Sequence, residues 1–173
     1  VRLVPETVFP RGVLPRNLGE AAVAIGVFDG IHLGHQKVLR TCVAEARSRG
    51  VAAVAVTFDP APTTKSNGKD GGRPLSPLTS LKKRAELMRS VGVDHVVVIP
   101  FDANLVGTSA ADFLSSVLSS RVVPRCFVVG DDFKFGAGAE GTAQTLSAHA
   151  DTVSVGLALV NGQCVSSTAV RAA

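Results

Sequence analysis

The sequence predicts an α/β fold, a Rossmann-like and mainly parallel sheet with helices on both faces. Short apolar runs rich in Val, Ile and Ala alternate with segments whose apolar residues recur at helical spacing. Such runs are typical of strands buried on both faces, and strands separated by helices form parallel sheets through right-handed crossovers. A length of 173 residues suits one sizeable core, so residues 1–173 are expected to form a single domain.

The first half of the chain carries the clearest strand and helix signals. A strand is expected at about 22–28, followed by a helix that begins near Gly34 and stops at Gly50. A second strand is expected at 51–58. The polar segment 63–77, rich in Gly, Lys and Pro, is predicted to be a long loop, either a lid or binding element or a tolerated surface insertion.

The pattern continues after this loop. Thr79 is expected to cap a second helix, which is followed by a third strand at 95–99. Ser109 is expected to cap a helix that runs through the apolar positions as far as Leu118, before a fourth strand at 127–130.

The last quarter of the chain contains the strongest turn signal in the sequence. Residues 142–150 are expected to be helical. Two further strands, 153–160 and 163–165, flank an Asn-Gly pair at 161–162. Because Asn-Gly favours a two-residue turn between antiparallel strands, a hairpin is predicted here.

Composition narrows the class of protein. Almost half of the residues are apolar and the net charge is +4, with the basic residues scattered, so small anionic partners are favoured over nucleic acid. Three distant cysteines, Cys42, Cys126 and Cys164, indicate neither a disulfide framework nor a zinc site. No apolar run has the length of a membrane span and no signal peptide is evident, so a cytoplasmic location is expected.

The turn after the first strand carries the most chemistry. Gly30 and Gly34 allow close approach of a ligand to the backbone, and His32 and His35 are spaced so that both rings face one point near a helix N-terminus. Asp29 lies inside the same turn. Since the free N–H groups and the helix dipole favour an anion, this arrangement predicts a polyphosphate site.

A second anion site is predicted near the end of the chain. The hydroxyl-rich run 166–168 precedes a nascent helix, and Arg171 follows one turn later. In parallel α/β sheets, ligands gather at the carboxyl ends of the strands. The segments 29–35, 59–62 and 130–136 also follow predicted strands, so all four segments are expected to converge on one cleft.

Four motifs in this order carry a family resemblance: G-V-F-D-G-I-H-L-G-H-Q, F-D-P-A-P, V-G-D-D-F-K-F-G and S-S-T-A-V-R. Together they resemble the FMN adenylyltransferase module of bacterial FAD synthetases, in the HxGH nucleotidyltransferase superfamily. The resemblance implies transfer of AMP from ATP to FMN, which forms FAD and pyrophosphate, with Mg²⁺ carried on ATP. That module is usually joined to a C-terminal riboflavin kinase domain, which we expect to lie outside residues 1–173. The chain begins without Met, so a longer parent protein is expected.

The resemblance also implies roles for individual residues. The expected catalytic residues are His32, His35 and Arg171. The expected ATP-binding residues are Gly26, Phe28, Asp29, Gly34, Ser166, Ser167 and Thr168. The expected flavin-binding residues are Asp59, Pro60, Asp132, Phe135 and Phe113. Asp29 either orients the turn or helps to hold hydrated metal, and no residue is named as a metal ligand.

Two other readings stay open at this point. The domain could adenylylate pantetheine phosphate or nicotinamide mononucleotide, or it could be a flavin or nucleotide sensor without turnover. Ala61 stands where many members of the family carry His, and no Phe occurs between Asp59 and Phe101. The G-D-D-F-K-F-G segment favours a flavin as the acceptor.

Overall fold

A parallel sheet forms the centre of the molecule. The computed structural model describes residues 17–59, 77–156, 159–160 and 163–164. The sheet strands are β1 (Glu20–Ile25), β2 (Ala52–Asp59), β3 (His95–Pro100), β4 (Val123–Gly130) and β5 (Asp151–Val155). They lie in the order β3-β2-β1-β4-β5, and each neighbouring pair is parallel.

Helices connect these strands. They are α1 (Leu33–Arg49), α2 (Leu81–Ser90), α3 (Ala103–Val106), α4 (Ala110–Asp112) and α5 (Ala143–Ser147). A π-helical segment (Phe113–Leu118) continues α4, and a 3₁₀ turn (Ala137–Ala139) follows β4. Two short antiparallel strands, β6 (Leu159–Val160) and β7 (Gln163–Cys164), form a hairpin apart from the main sheet.

Each face of the sheet has its own core. On one face, side chains of α1 and α2, including Leu39, Cys42 and Met88, pack on alternate strand residues. On the other face, the π-helical segment and α5 contribute Phe113, Leu118 and Leu146. Successive strand residues point to opposite faces, so both must be covered for strands this apolar. The predicted fold, with helices on both faces, is confirmed.

Several predicted strands and helices are present, but they begin or end at other residues than expected. The first strand ends at Ile25 and not at Phe28, because the backbone of Phe28 has a φ of 52° that no strand accommodates. Ser80, not Thr79, caps α2, and its side chain accepts the N–H of Lys83. The prediction that Thr79 caps this helix is therefore wrong, since its hydroxyl bonds to the turn after β1 instead.

The remaining differences lie in the second half of the chain. Ser109 caps α4 as expected, but from Phe113 onward the helix is π-helical, a distortion that apolar periodicity does not reveal. The strand expected at 153–160 divides into β5, which joins the parallel sheet, and β6, which pairs with β7. The predicted hairpin is confirmed by the pairing of Leu159 with Cys164. Within the described ranges, no helix combines the length and apolarity needed to cross a membrane.

Candidate active site

The turn between β1 and α1 has a strained backbone. Phe28 and Ile31 adopt φ values of 52° and 41°, in the left-handed region that residues other than glycine rarely occupy. Gly30, between them, has a φ of 80°, and a Cβ there would lie 2.9 Å from Leu78 Cδ1. Such strain persists only where the surroundings fix it, and it is concentrated at functional sites.

The two histidines of the turn lie against each other at the N-terminus of α1. Their ring centroids are 3.6 Å apart and the rings are nearly parallel. His32 is the N-cap, and its Nδ1 accepts the backbone N–H of His35 at 3.4 Å. Because that nitrogen accepts, the proton of a neutral His32 ring lies on Nε2. His32 therefore presents Nε2–H as a hydrogen-bond donor.

Burial keeps both imidazoles neutral near pH 7. It lowers the pKa of His32, and it lowers the pKa of His35 from 6.5 to about 3, with smaller contributions from His32 and Arg84 that are partly opposed by Asp29. The ring of Phe28 meets His35 edge-on, with centroids 5.4 Å apart, and contributes to this apolar environment. Two neutral rings offer a ligand hydrogen bonds and no fixed positive charge.

This lowered pKa predicts a pH dependence of stability. Between pH 6.5 and about 3, the unfolded chain binds a proton at His35 that the folded protein does not. The stabilisation is fully present above pH 6.5 and is lost as the pH falls through that window. We expect the free energy of unfolding to fall less steeply with decreasing pH in His35→Gln, measured by urea denaturation from about pH 7 to about pH 4. Parallel curves for the two proteins would contradict this.

Asp29 fastens the turn to the segment that precedes α2. The residue is 2% exposed, and its carboxylate accepts hydrogen bonds from Leu78 N, Thr79 N and Thr79 Oγ1 at 3.0–3.2 Å. Thr79 Oγ1 also accepts the N–H of Gly30. These bonds hold the backbone that leads into His32, which supports an orienting role for Asp29.

Beside the turn, the structure contains a mostly apolar cavity of about 320 Å³. Aromatic side chains dominate its lining, and among the described lining residues Lys134 alone is charged. The rings of Phe133 and Phe135 are stacked with centroids 5.5 Å apart, and that of Phe113 lies 5.7 Å from Phe135. The lining phenylalanines are Phe58, Phe101, Phe113, Phe133 and Phe135. A planar aromatic ligand suits such walls.

The two walls of this cavity are fastened together. Ala137 N donates to Thr108 O, and Ala110 N donates to Glu140 Oε1, each at 2.8 Å. Gly136 approaches so closely that a Cβ there would lie 2.6 Å from Ala110 N. The loop after β4 is thus docked on the start of α4, and the aromatic rings it carries are held opposite Phe113.

The cavity and the histidine turn are adjacent. Gly26 and Val27 line the cavity and directly precede the turn, beyond the carboxyl end of β1. At Gly26 a Cβ would lie 3.1 Å from the ring of Phe28, which is 1% exposed. The absence of a side chain at Gly26 therefore lets the ring of Phe28 pack closely against the backbone that lines the cavity. A ligand in the cavity would lie next to an anion held at His32.

Several predicted site residues lie away from the cavity or outside the described residues. Asp59 ends β2, where its carbonyl accepts from Phe101 N, and Asp132 is exposed. Neither lines the cavity. The predicted residues outside the described part of the chain are Pro60, Ser166, Ser167, Thr168 and Arg171. In the described ranges, no group of three or more His, Cys, Asp or Glu side chains could hold a metal ion.

Sequence reasoning missed several residues of the site. Phe58 and Phe133 line the cavity; Phe133 could have been found from its period-two spacing with Phe135. Arg84 reads as an ordinary position on a charged helix, K-K-R, yet its guanidinium is buried. Helical periodicity gives no signal for a cation that faces the core.

Comparison with known proteins adds independent evidence. The sequence model of the FAD synthetase family matches residues 14–172. A putative bifunctional riboflavin kinase/FMN adenylyltransferase from Geobacillus thermodenitrificans is 36% identical over 152 residues, which are 87% of this chain and 80% of that protein. The bifunctional riboflavin kinase/FMN adenylyltransferase of Escherichia coli K12 is 33% identical over 94% of this chain.

The lengths of these proteins differ from that of the chain. The match covers 54% of the E. coli protein, so this chain spans about half of that relative. A solved structure, described as a macrolide-efflux protein from Streptococcus pneumoniae, has a TM-score of 0.73 at 23% identity and covers 92% of this chain and 52% of its own. That similarity supports the fold. Since the family model matches nearly the whole sequence, the chain belongs to the FAD synthetase family.

Proposed function

We propose that this domain transfers AMP from ATP to the phosphate of FMN, forming FAD and pyrophosphate. The observation that carries the proposal is the contiguity of two sites. An aromatic cavity suited to a flavin borders, through Gly26 and Val27, on a histidine turn suited to a polyphosphate. Two substrates held on either side of this border would have their reacting phosphates close together.

The reaction needs the two substrates to be positioned correctly, and it needs no protein nucleophile. An FMN phosphate oxygen attacks the α-phosphorus of ATP, a new P–O–P bond forms, and the bond to the β-phosphate bridging oxygen breaks. Pyrophosphate leaves with the electron pair of that bond. Catalysis of such a step comes from alignment and from stabilisation of developing charge. We propose that Nε2–H of His32 donates to a phosphate oxygen at the N-terminus of α1, because Nδ1 already accepts the N–H of His35.

The other site residues are assigned as part of the same proposal. His35 supports the ring of His32, while Phe28 and Gly34 shape the nucleotide floor. The second phosphate clamp is proposed at Ser166, Ser167, Thr168 and Arg171, which would hold the β- and γ-phosphates. Asp59, Pro60 and Asp132 are proposed to contact the ribityl phosphate end of FMN, because Asp59 and Asp132 are polar and do not line the aromatic cavity.

Mg²⁺ is proposed to arrive with ATP. Both carboxylate oxygens of Asp29 accept hydrogen bonds from the backbone before α2, so we assign this residue to the turn and not to a metal. Mg²⁺ on the phosphates would reduce their negative charge and keep several of its waters. No step in the proposed reaction depends on a protein ligand to the ion.

The proposal extends to the arrangement of the parent protein. We propose that residues 1–173 form one adenylyltransferase domain and that a riboflavin kinase domain is fused to it, since the names of its relatives include both activities. Such a fusion would supply FMN to this domain. We also propose a cytoplasmic location for the parent protein.

The direct test is product formation. The purified 173-residue chain is incubated with ATP, FMN and Mg²⁺, and FAD and pyrophosphate are measured by chromatography and a coupled assay. We expect both products in equal amounts. Pantetheine phosphate and nicotinamide mononucleotide serve as competing acceptors. A folded sample that forms neither FAD nor pyrophosphate would refute the proposal, and turnover of another acceptor alone would reassign the substrate.

A glycine pair offers a matched test of the flavin cavity. Gly136 and Gly19 have φ values of 77° and 79°, but a Cβ on Gly19 has nothing within 4 Å, whereas one on Gly136 meets the backbone of Ala110. Gly19 does not line the cavity. Alanine at either position adds backbone strain of about 1 kcal/mol or more. Only Gly136→Ala also displaces the aromatic wall.

We therefore expect Gly136→Ala to raise the KM for FMN by about tenfold or more, as small misplacements in a site do. Gly19→Ala should leave that KM within about twofold of the unmodified protein. The KM for ATP should be nearly constant in both variants. Initial rates at varied FMN and ATP concentrations measure these values, and similar FMN effects from both substitutions would contradict the assignment.

A further inference from the structure

A buried arginine lies beneath the border between the histidine turn and the cavity. Arg84, on α2, is 1% exposed. Its Nη1 donates to Val27 O at 3.0 Å, Phe58 O at 3.0 Å and Thr57 Oγ1 at 3.2 Å. Val27 and Phe58 both line the cavity. One nitrogen thus joins the carboxyl ends of β1 and β2 where the two proposed substrates meet.

Burying the charged side chain of Arg84 in the core is energetically unfavourable. Its Nε is buried, and no hydrogen-bond partner for it lies in the described part of the chain. Burial also lowers the pKa of its guanidinium, against the raising influence of Asp29 and Asp59. A buried cation with an unused donor is often no more stabilising than an apolar side chain of similar volume. Stability alone therefore gives little reason for a charged residue here.

We propose that Arg84 is a positioning residue for adenylyl transfer, an inference that rests on the proposed function. By holding the carbonyl of Val27, it fixes the start of the strained turn that contains Phe28 and Ile31 and ends at His32. Asp29 holds the middle of the same turn through its bonds to the backbone before α2. Arg84 touches neither substrate. It acts by setting where the backbone before His32 runs.

The contact pattern predicts which substitutions are tolerated. All three hydrogen bonds come from the single nitrogen Nη1, and the bidentate geometry that distinguishes arginine is not used. A lysine ammonium is also one nitrogen, with three N–H donors. Lysine should therefore replace Arg84, whereas methionine, which matches the volume but has no donor, should not.

The chain provides a matched control at Arg121. This arginine is also buried, at 7% exposure, and burial lowers its pKa as well. It bonds to Val117 O and Ser120 Oγ, its neighbours at the end of the π-helical segment. Arg121 lies just before the amino end of β4, whereas the proposed site lies at the carboxyl ends of the strands. Arg121→Met thus measures the general effect of losing a buried arginine.

The experiment compares Arg84→Lys, Arg84→Met and Arg121→Met in the 173-residue chain. Thermal unfolding is measured, and kcat and the KM values for ATP and FMN are obtained from FAD formation. Arg84→Met should lower kcat by about tenfold to a hundredfold, since small displacements of a reacting geometry have effects of that size. Arg84→Lys should keep kcat within about threefold, and Arg121→Met should lower Tm without lowering kcat by more than about twofold.

Other results would overturn the proposal. They are an unchanged kcat in Arg84→Met, an Arg84→Lys variant as slow as Arg84→Met, or an equal loss of kcat in Arg121→Met. Should Arg84→Met fail to fold, Arg84→Lys decides alone, because a folded lysine variant with a tenfold lower kcat contradicts the single-donor argument. An unmodified chain that forms no FAD would refute the proposed function instead, which keeps the two failures distinct.

Discussion

His32→Ala is expected to lower kcat by about 10²–10³-fold, the effect typical of removing one donor to a charged transition state. The KM for ATP should change much less. In the folded turn, His32 Nδ1 accepts the N–H of His35, so Nε2–H is the donor available to phosphate oxygen. A donor that contacts charge developing toward pyrophosphate stabilises the transition state more than the bound substrate. Steady-state rates at varied ATP concentrations measure the two effects separately.

The same substitution removes the N-cap of α1, so a control must separate capping from catalysis. His32→Asn keeps a side-chain acceptor, and asparagine is among the best N-cap residues. We expect His32→Ala to lower the free energy of unfolding by about 1 kcal/mol and His32→Asn to lower it by less than about 0.5 kcal/mol. Both should lose kcat. Recovery of turnover in His32→Asn would mean that the ring acts as a cap, and equal losses in kcat and ATP affinity would indicate ordinary binding.

The fold could be predicted from the sequence because the buried strands have a distinctive residue pattern. Residues 52–58 and 95–99 are short, almost wholly apolar runs, and only a sheet covered on both faces buries such runs. Gly50, at the end of the first predicted helix, adopts the left-handed C-cap that its type favours. These signals are local, because each depends only on residues that are adjacent in the sequence.

The parts of the site that escaped prediction depend on tertiary contacts. The H-x-G-H spacing predicts two imidazoles at one helix end, but it does not show that the rings of His32 and His35 stack or that Phe28 meets His35 edge-on. Thr79 has good capping chemistry, yet its hydroxyl bonds to Asp29 and Gly30 because the turn after β1 lies within reach. Long-range proximity of this kind is absent from the spacing of residues along a chain.

The same limitation explains the aromatic cavity. Phe113 and Phe135 were expected near a flavin through family resemblance, and the structure brings them within 5.7 Å of each other, between ring centroids. Their arrangement depends on Glu140 and Gly136, which dock the loop after β4 on α4. Neither residue carries a motif of its own.

Asp29→Ala is expected to have the largest effect on stability. Hydrogen bonds to a charged group contribute about 1.5–3 kcal/mol each, and the carboxylate accepts such bonds from Leu78 N and Thr79 N. Since the contributions are not additive, we expect the free energy of unfolding to fall by about 2–4 kcal/mol. Release of the strained backbone at Phe28 and Ile31 should also misplace His32 and lower kcat by about a hundredfold. Urea denaturation and FAD formation measure the two effects.

Two further variants separate this anchoring role from metal binding. Asp29→Asn keeps an oxygen acceptor but sets an amide N–H₂ group against a backbone N–H, so it should lower both the stability and the turnover. The Mg²⁺ concentration needed for half-maximal rate should stay unchanged. Thr79→Val removes the hydroxyl that bonds to Asp29 and Gly30. It should also lower turnover, and it should lower the free energy of unfolding by about 1 kcal/mol. If Asp29 instead held the ion, Asp29→Asn would raise the Mg²⁺ concentration needed for half-maximal rate while Thr79→Val would not. Because both oxygens of the carboxylate already face the backbone before α2, we expect the Mg²⁺ titrations of all three proteins to coincide.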